Sequence, residues 1–344
     1  MRVLVTGGSG FLGINLARDL LAHGHSVRSL DLAPFDYPEQ ATVEAIQGDV
    51  RDRAAMERAA AGIDVIVHAA AALPLFPPAD IFSTNVDGTR RVLEAAVAVG
   101  VPRVVFISST AVYGIPDHQP IREDDRLVGA GPYGQSKIAA EAVCAEFRSE
   151  GLCVPVLRPK SFIGPERLGV FELLYDWAYS GHNFPILGSG TNHYQLLDVA
   201  DLCRAIDLCA TAASEQVNDT FNVAAGRFGT MREDFQAVLD RAGHGKRIVP
   251  VPATPVVWVL KALEQLRLSP LYAWVYETAS HESIVSIARI EARLGFTPRY
   301  SNRDALIRNY DWYVANRQGF TGRTGISHRI PWKHGLLGLA KAVF

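Results

Sequence analysis

A doubly wound parallel α/β sheet, followed by a smaller α/β domain, is the fold that this sequence predicts, and three observations predict it. Apolar runs of strand length alternate with amphipathic helical segments through residues 1–160. Such alternation demands crossover connections, and so parallel strands with helices on both faces. A glycine-rich turn, "GGSGFLG", joins the first strand to the first helix, and after Pro159 the rhythm changes.

The elements follow in order. "RVLVTG" is the first strand, and "GFLGINLARDLLAHG" is an amphipathic helix closed by Gly24. "SVRSLDLA" and "VEAIQGDV" read as the second and third strands, "RDRAAMERAAAG" as a helix and "DVIVHAAA" as a fourth, buried strand. "NVDGTRRVLEAAVAVG" is a helix ended by Gly100, and "RVVFISS" is the fifth strand. A helix over about 136–149 leads to "CVPVLRP", the sixth. The apolar period separates helix from strand at each step.

Beyond Pro159, "FELLYDWAYSG" predicts a helix, "NHYQLLDVADLCRAIDLCAT" a strand and then a helix, and "DTFNVAA" a short strand. Pro250, Pro252, Pro255 and Pro270 break up an apolar, aromatic region that runs to Tyr276. The expected division is a first domain over 1–160, a second over 161–320 and a tail over 321–344. A segment near 193–225 is expected to pass back to the sheet. The tail "HRIPWKHGLLGLAKAVF" sets Trp332, Leu336, Leu337, Leu339, Ala340, Val343 and Phe344 among Lys333 and Lys341. It predicts an amphipathic helix docked on its own domain or on a dimer partner. The sharper alternative is peripheral contact with a membrane interface.

The 344 residues are 48% hydrophobic and 20% charged, ordinary values for a globular chain with ample core. Lys plus Arg is 34 against 36 for Asp plus Glu, and no basic run or aromatic-basic stripe argues for a nucleic-acid partner. Cys144, Cys153, Cys203 and Cys209 lack metal-ligand spacing and read as small buried hydrophobes in a reducing compartment, with no metal site. "MRVLVTGG" enters a strand at once, which leaves no room for a signal peptide, and no apolar stretch is long enough to span a membrane. A cytoplasmic protein is expected.

Gly7, Gly10 and Gly13 form a G-x-x-G-x-x-G pattern between the first strand and the first helix. A dinucleotide pyrophosphate needs a backbone that it can approach closely and N–H groups at a helix N-terminus. The glycines supply the room, and Ser9 and Phe11 to Leu12 supply the amides. Asp31 ends the second strand, where a carboxylate can accept from ribose hydroxyls and repels a 2′-phosphate. Leu32 and Ala33 follow, with no arginine to hold a phosphate, which favours NAD(H) over NADP(H). Asp49 and Val50 of "GDVRD" are candidates for the adenine edge, and a cap for the next helix accounts for Asp49 equally well.

"PYGQSK" places Tyr133 and Lys137 four residues apart, on one face of a helix. A cation beside a phenol favours phenolate and lowers a pKa that starts near about 10.

With "TGGSGFLG", "GDVRD", "HAAA", "NVDGT", "SSTAVYG", "PYGQSK" and "RPKSFIGP" in this order, residues 1–315 resemble the extended short-chain dehydrogenase/reductase family. That family includes nucleotide-sugar epimerases and dehydratases and 3β-hydroxysteroid dehydrogenase-like enzymes. The resemblance implies a Rossmann-type sheet with a smaller C-terminal substrate domain, NAD as cofactor, and redox chemistry at a secondary alcohol or ketone. It implies that Tyr133 exchanges a proton with the reacting oxygen and that Lys137 holds the nicotinamide ribose. Ser109 would hydrogen-bond the same substrate oxygen. Ala69, Ala70 and Ala71 would pass beneath the cofactor, Asn85 would anchor neighbouring backbone, and Pro159 to Ser161 would flank the nicotinamide. His68 ends a buried strand and reads as structural. Family analogy also implies a homodimer through helices like those over 85–100 and 136–149.

The chain departs from the family in places. Where the dehydratase branch carries a carboxylate pair, this sequence has Thr110 and Ala111, so sugar 4,6-dehydration is not implied. Nucleotide-sugar members carry an asparagine and an arginine where Ser161 and Tyr194 stand here, and a second arginine is missing from "HESIVSIARIEARLG". Arginine is the natural bidentate partner of a pyrophosphate. Arg167, Arg227, Arg289 and His193 are the candidates to replace it, and Thr110, Ser161 and Tyr194 are the candidate substrate contacts. "FPILGSGTNHYQLLDVADL" still resembles epimerase-type members, whereas the apolar region over 255–276 fits a lipophilic substrate. A nucleotide-sugar C4 epimerase stands slightly ahead of a 3β-hydroxysteroid-type or other lipophilic secondary-alcohol dehydrogenase. A silent NAD-sensing protein is disfavoured, because Ser109, Tyr133 and Lys137 are all present.

Overall fold

The computed structural model describes residues 1–255, 257, 258, 281–320 and 341. The chain forms two compact units. The first comprises Met1–Lys160, Val199–Ala224 and Val285–Thr297. The second comprises the described residues of 161–198, 225–284 and 298–344.

In chain order the strands are β1 (Arg2–Thr6), β2 (Ser26–Asp31), β3 (Glu44–Gln47), β4 (Val65–His68), β5 (Val104–Ile107), β6 (Val156–Pro159), β7 (Phe162–Ile163), β8 (Phe184–Leu187), β9 (Leu197–Asp198), β10 (Thr220–Val223) and β11 (Ile248–Val251). Seven of them make the sheet of the first unit in the order β10-β6-β5-β4-β1-β2-β3, all parallel. This is the doubly wound Rossmann-type sheet that the strand–helix alternation predicts. β4 and β5 are buried along their whole lengths, as strands covered on both faces must be. Thr6 is in register with Leu30 and with His68, His68 with Phe106, Ile107 with Leu157, and Pro159 with Val223. That register brings the carboxyl ends of the strands to one edge. The order reverses at β1, so the crevice where ligands bind such sheets opens beyond β1 and β4.

The helices that matter to that edge are α1 (Phe11–Ala22), α2 (Arg53–Ala60), α3 (Pro78–Phe82), α4 (Gly88–Val99) and α5 (Gly131–Ser149). Two differ from expectation. α5 begins at Gly131 rather than near position 136, because Pro132 sits in the first turn, where its missing N–H leaves no bond unmade. Tyr133 thus lies in the first turn of the helix. The helix expected over 85–100 is preceded by a π-helical stretch, Ser83–Asp87, which contains Asn85. Such bulges are frequent at functional sites. The core beneath is packed from Leu4, Leu30, Ile66, Val92 and Phe106, and all four cysteines are buried and free.

In the second unit β7 pairs with β9 and β8 with β11, both parallel. The strand expected within "NHYQLLDVADL" is therefore β9, and it joins β7 rather than the large sheet. Helices Phe171–Tyr179, Met231–Ala242 and Asn302–Asn316 pack around Ile163, Tyr175, Leu196, Val238 and Leu306. Thr230 with Glu233, and Ser301 with Asp304, form reciprocal capping boxes that fix two of these helix starts. Most of the apolar region over 255–276 lies outside the described residues, as does the tail over 328–344 except Lys341. Among the described residues no helix is long and apolar enough to cross a membrane.

Candidate active site

β1 runs into Gly7 at φ 73°, a left-handed conformation that favours glycine. A Cβ on Gly7 would stand 2.8 Å from the Ala70 nitrogen, and one on Gly13 would stand 2.4 Å from the Gly7 carbonyl oxygen. Loop, helix and the chain leaving β4 thus approach more closely than any side chain permits. Gly10 is the N-cap of α1, and no side chain caps the helix there. The Phe11 and Leu12 side chains are buried, so the outward side of this first turn is backbone. Ala69, Ala70 and Ala71 lie half-buried at the end of β4, next to the loop. Gly8 was not singled out from the sequence, yet a Cβ on it would collide with the Ser29 hydroxyl at 2.1 Å.

Asp31 ends β2 and faces the loop. One carboxylate oxygen accepts from the Ser9 N–H at 3.0 Å and the other from the Ala33 N–H at 2.9 Å. Tyr37 donates its hydroxyl to the Ser9 carbonyl, which ties the segment after β2 over the loop. A dinucleotide fits this arrangement: uncapped helix N-terminus, glycine backbone at close approach, and an oriented carboxylate without an adjacent cation. The Leu32 side chain is exposed, so an arginine there could reach a phosphate beside position 31. Asp31→Ala with Leu32→Arg is expected to shift preference toward NADP(H) by about tenfold or more, the worth of roughly one charge-assisted hydrogen bond. Unchanged selectivity in parallel NADH and NADPH titrations would place the ribose elsewhere.

Asp49 is held by Arg51, whose backbone N–H, Nε and Nη2 all donate to its carboxylate, at 2.9, 2.9 and 2.6 Å for the shortest contacts. Hydrogen bonds from Arg51 pull its carboxyl below the usual range. The cap of α2 is Asp52, which accepts from the Ala55 N–H, so the capping account of Asp49 is corrected. Val50 is buried in the core and would meet a Cβ on Gly88 at 2.9 Å. The Asp49 side chain stays about a quarter exposed beside its Arg51 partner, whereas that of Val50 is turned into the core.

Asn85 is buried and holds both backbone polar groups of Ala72. Its Oδ1 accepts from the Ala72 N–H at 2.8 Å, and its Nδ2 donates to the Ala72 carbonyl and to Ser136 Oγ. Ser136 in turn donates to the Tyr133 carbonyl at 2.7 Å. His68 lies behind, with Nδ1 2.7 Å from Thr6 Oγ1 and Nε2 3.1 Å from Thr89 Oγ1. The Thr89 hydroxyl donates to the Asn85 carbonyl, so it accepts from His68 Nε2–H, and Nδ1 accepts from Thr6. Burial pulls the His68 imidazole down to about 3, and the Lys137 charge adds to this. The ring is a neutral structural link, as its place in the sequence suggests.

Ser109 opens a tight helical turn, Thr110–Tyr113, and its Oγ accepts from the Ala111 N–H at 3.1 Å. Thr110, next in the turn, is half-exposed. Lys137 is almost fully buried, and its Nζ donates to the Ile107 carbonyl at 2.9 Å. The ammonium lies 4.9 Å from the Phe106 ring centroid and 6.0 Å from that of Tyr133. Burial pulls it down to about 8, against the opposing pull of the Glu141 carboxylate. The side chain is therefore cationic at neutral pH and loses its charge as pH rises through that value. Gly134, inside the motif but not singled out from the sequence, packs α5 on the serine turn: a Cβ would stand 2.5 Å from the Ala111 carbonyl oxygen. Folding thus brings Ser109, Tyr133, Lys137 and Asn85 into one neighbourhood of the first unit.

Pro159 ends β6, paired with Val223. Lys160 after it is buried, and burial pulls its ammonium down to about 7. In the second unit, Ser161 Oγ lies 3.3 Å from the Tyr194 hydroxyl. Burial pushes the Tyr194 phenol up, against the Ser161 hydrogen bond and the Arg167 charge. Arg167 is nine-tenths buried and stands 5.6 Å from the Phe162 ring centroid. It follows Glu166, at φ 75° the one non-glycine residue in a left-handed conformation among the described residues. The other candidate cations are placed differently. Arg227 is largely exposed beside Asp304, His193 pairs with Glu282, and Arg289 belongs to the first unit, engaged by Glu123, Asp124 and Asp219.

Comparison with known proteins agrees with this geometry. Residues 3–224 match the model of the NAD dependent epimerase/dehydratase family. The protein y4nG of Sinorhizobium fredii is 37% identical over 340 residues, covering 98% of this chain and 84% of that protein. A 3 beta-hydroxysteroid dehydrogenase/Delta 5→4-isomerase of Mycobacterium tuberculosis is 29% identical, with 91% and 90% covered. Among solved structures, the UDP-glucose 4-epimerase of Thermotoga maritima, with UDP-glucose, superposes with a TM-score of 0.77 at 23% identity, covering 92% of this chain and 100% of that one. With the matched segment spanning the glycine loop, Asp31, the serine turn and the Tyr133–Lys137 helix, the chain belongs to the NAD-dependent epimerase/dehydratase family of extended short-chain dehydrogenase/reductase enzymes.

Proposed function

We propose that this enzyme oxidises and re-reduces a secondary carbinol through Ser109, Tyr133 and Lys137, acting as a C4-type epimerase on a nucleotide sugar. The placement of Lys137 carries the redox reading: a buried cation, anchored on the Ile107 carbonyl, beside the ring of Tyr133. A cation there favours the phenolate and lets Tyr133 take the hydroxyl proton, then return it. Ser109 accepts a backbone N–H, which leaves its own proton to donate to the same substrate oxygen. Lys137, Asp31 and the glycine loop bind and orient NAD, with the amide of Val50 toward the adenine. When bound, NAD accepts and returns the hydride. With Thr110 and Ala111 in place of a carboxylate pair, no side chain there supplies the acid for water elimination.

For the substrate, Arg167 favours the nucleotide-sugar reading. It is the buried arginine that shares a unit and an electrostatic environment with Ser161 and Tyr194, and arginine is the preferred partner of a diphosphate. The second unit is then the substrate domain.

A second reading, a dehydrogenase of lipophilic secondary alcohols, has its own observation. Leu75 and Phe76 after β4, and Ile115 and Val128 around the turn after β5, are exposed large apolar residues on loops that follow the catalytic strands. The steroid-enzyme relative supports it too. Denaturing the purified protein and measuring released nucleotide separates the two. An epimerase completes both half-reactions in one residence, so about one NAD per chain is expected. A largely empty protein that forms NADH with a lipophilic alcohol would overturn the epimerase reading in favour of the second.

A further inference from the structure

A polar network lies inside the first unit, behind the proposed catalytic groups. Glu141 stands one helical turn beyond Lys137 on α5, and its carboxylate is gripped by Arg158 of β6. Arg158 Nε donates to Oε1 at 2.9 Å and Nη2 to Oε2 at 2.5 Å, with both side chains nine-tenths buried. The Ser108 hydroxyl donates to the same carboxylate at 2.5 Å. Arg158 Nη1 reaches the Tyr113 hydroxyl at 2.8 Å and the Glu123 carbonyl at 2.9 Å. Tyr113, whose phenol burial pushes up to about 12, donates to Asn222 Oδ1 of β10 at 2.7 Å. Asn222 N–H donates to the Glu123 carboxylate, which faces Arg289.

Four of its members lie a step in the chain, or a turn of helix, from a proposed site residue. Ser108 precedes Ser109, Tyr113 closes the turn that Ser109 opens, Arg158 precedes Pro159, and Glu141 follows Lys137. A bidentate, fully engaged pair has one geometry and resists sliding. Apolar groups can often replace a buried ion pair without loss of stability, so the presence of this pair is weak evidence for a purely stabilising role. We propose that Glu141 is a positioning residue for the redox site: through Arg158 and Ser108 it holds the Tyr133–Lys137 helix in register with the Ser109 strand, and its charge holds Lys137 cationic. This rests on the reading of Lys137 as the ribose and phenol partner.

The groups that face Lys137 leave Glu141 as the anion acting on it. On α5 they are Tyr133, Glu141 and Cys144; on β4, His68; on β5, the Ile107 carbonyl and the Phe106 ring. Burial keeps His68 uncharged at neutral pH and pushes the Cys144 thiol well up, so it is uncharged too.

NADH fluorescence titrated from neutral to alkaline pH reads the charge of Lys137 without a substrate. Wild-type affinity is expected to fall through about 8. In Glu141→Gln the midpoint is expected about one unit lower, the usual worth of a nearby opposite charge. If Glu141 only stabilises the fold, melting temperature drops and the midpoint stays, which overturns the proposal. Should the single variant not fold, the double variant Glu141→Gln, Arg158→Met leaves no unpaired buried charge. A smaller downward shift is expected there, because the Arg158 cation that opposes Glu141 is removed with it, and an unmoved midpoint again overturns the proposal. Lys137→Met separates this from the underlying reading. A pH-dependent fall that survives in that variant defeats the role of Lys137 itself. A fall lost there but unmoved in Glu141→Gln defeats only the role of Glu141.

Discussion

Tyr133→Phe is expected to lower turnover on the order of a thousandfold or more, within the range that one positioned acid–base group supplies. The change deletes one oxygen and keeps the ring. The ring centroid lies 6.0 Å from the Lys137 ammonium, and Lys137 keeps its bond to the Ile107 carbonyl either way. Asp31 and the glycine loop are untouched. NAD affinity should therefore remain near wild type while the chemical step fails. Single-turnover measurement of cofactor reduction, with NADH binding followed separately, checks both halves. Substantial residual turnover would return Tyr133 to the status of an ordinary helix residue.

Gly134→Ala is expected to lower kcat about a hundredfold with NAD binding largely preserved. The new methyl would stand 2.5 Å from the Ala111 carbonyl oxygen and 2.9 Å from the Gly129 carbonyl carbon. Backbone on both sides cannot yield as a flexible side chain would, so the first turn of α5 must move away from the serine turn. Tyr133 sits in that turn, and a displacement near 1 Å costs about two orders of magnitude in a positioned reaction. Lys137 lies a turn further along, tied to Ile107, and the cofactor loop is on other elements. A wild-type kcat in a folded Gly134→Ala protein would mean that the helix absorbs the methyl without moving Tyr133.

Much of the fold was legible because its signals are local. A strand's apolar run, a helix period and a terminal glycine each need only a short window, and parallel pairing follows from their alternation. The glycine loop was legible for the same reason, since close approach requires glycine whatever the partner. The start of α5 was less so, because proline ends helices as well as opening them, and only the backbone shows that Pro132 stands in a first turn. Asp49 shows the limit from the other side: a carboxylate in a promising loop is engaged by Arg51, two residues on, a pairing that many sequences would allow and few would require.

Sequence alone determined the sheet type, the carboxylate of Asp31 at the end of the second strand and the pairing of Tyr133 with Lys137 on one helical face, because each depends on neighbours within a strand, a turn or one helical repeat. Tertiary structure alone decided what surrounds them. Asn85 closes on Ala72 and Ser136, Gly134 on Ala111, and Glu141 on Arg158 and Ser108. These partners lie on separate strands and helices, and their hydrogen bonds carry no periodicity along the chain. They exist only once the hydrophobic core has brought α5 against β5 and β6, which is why "PYGQSK" paired Tyr133 with Lys137 on one helical face and folding set what surrounds them.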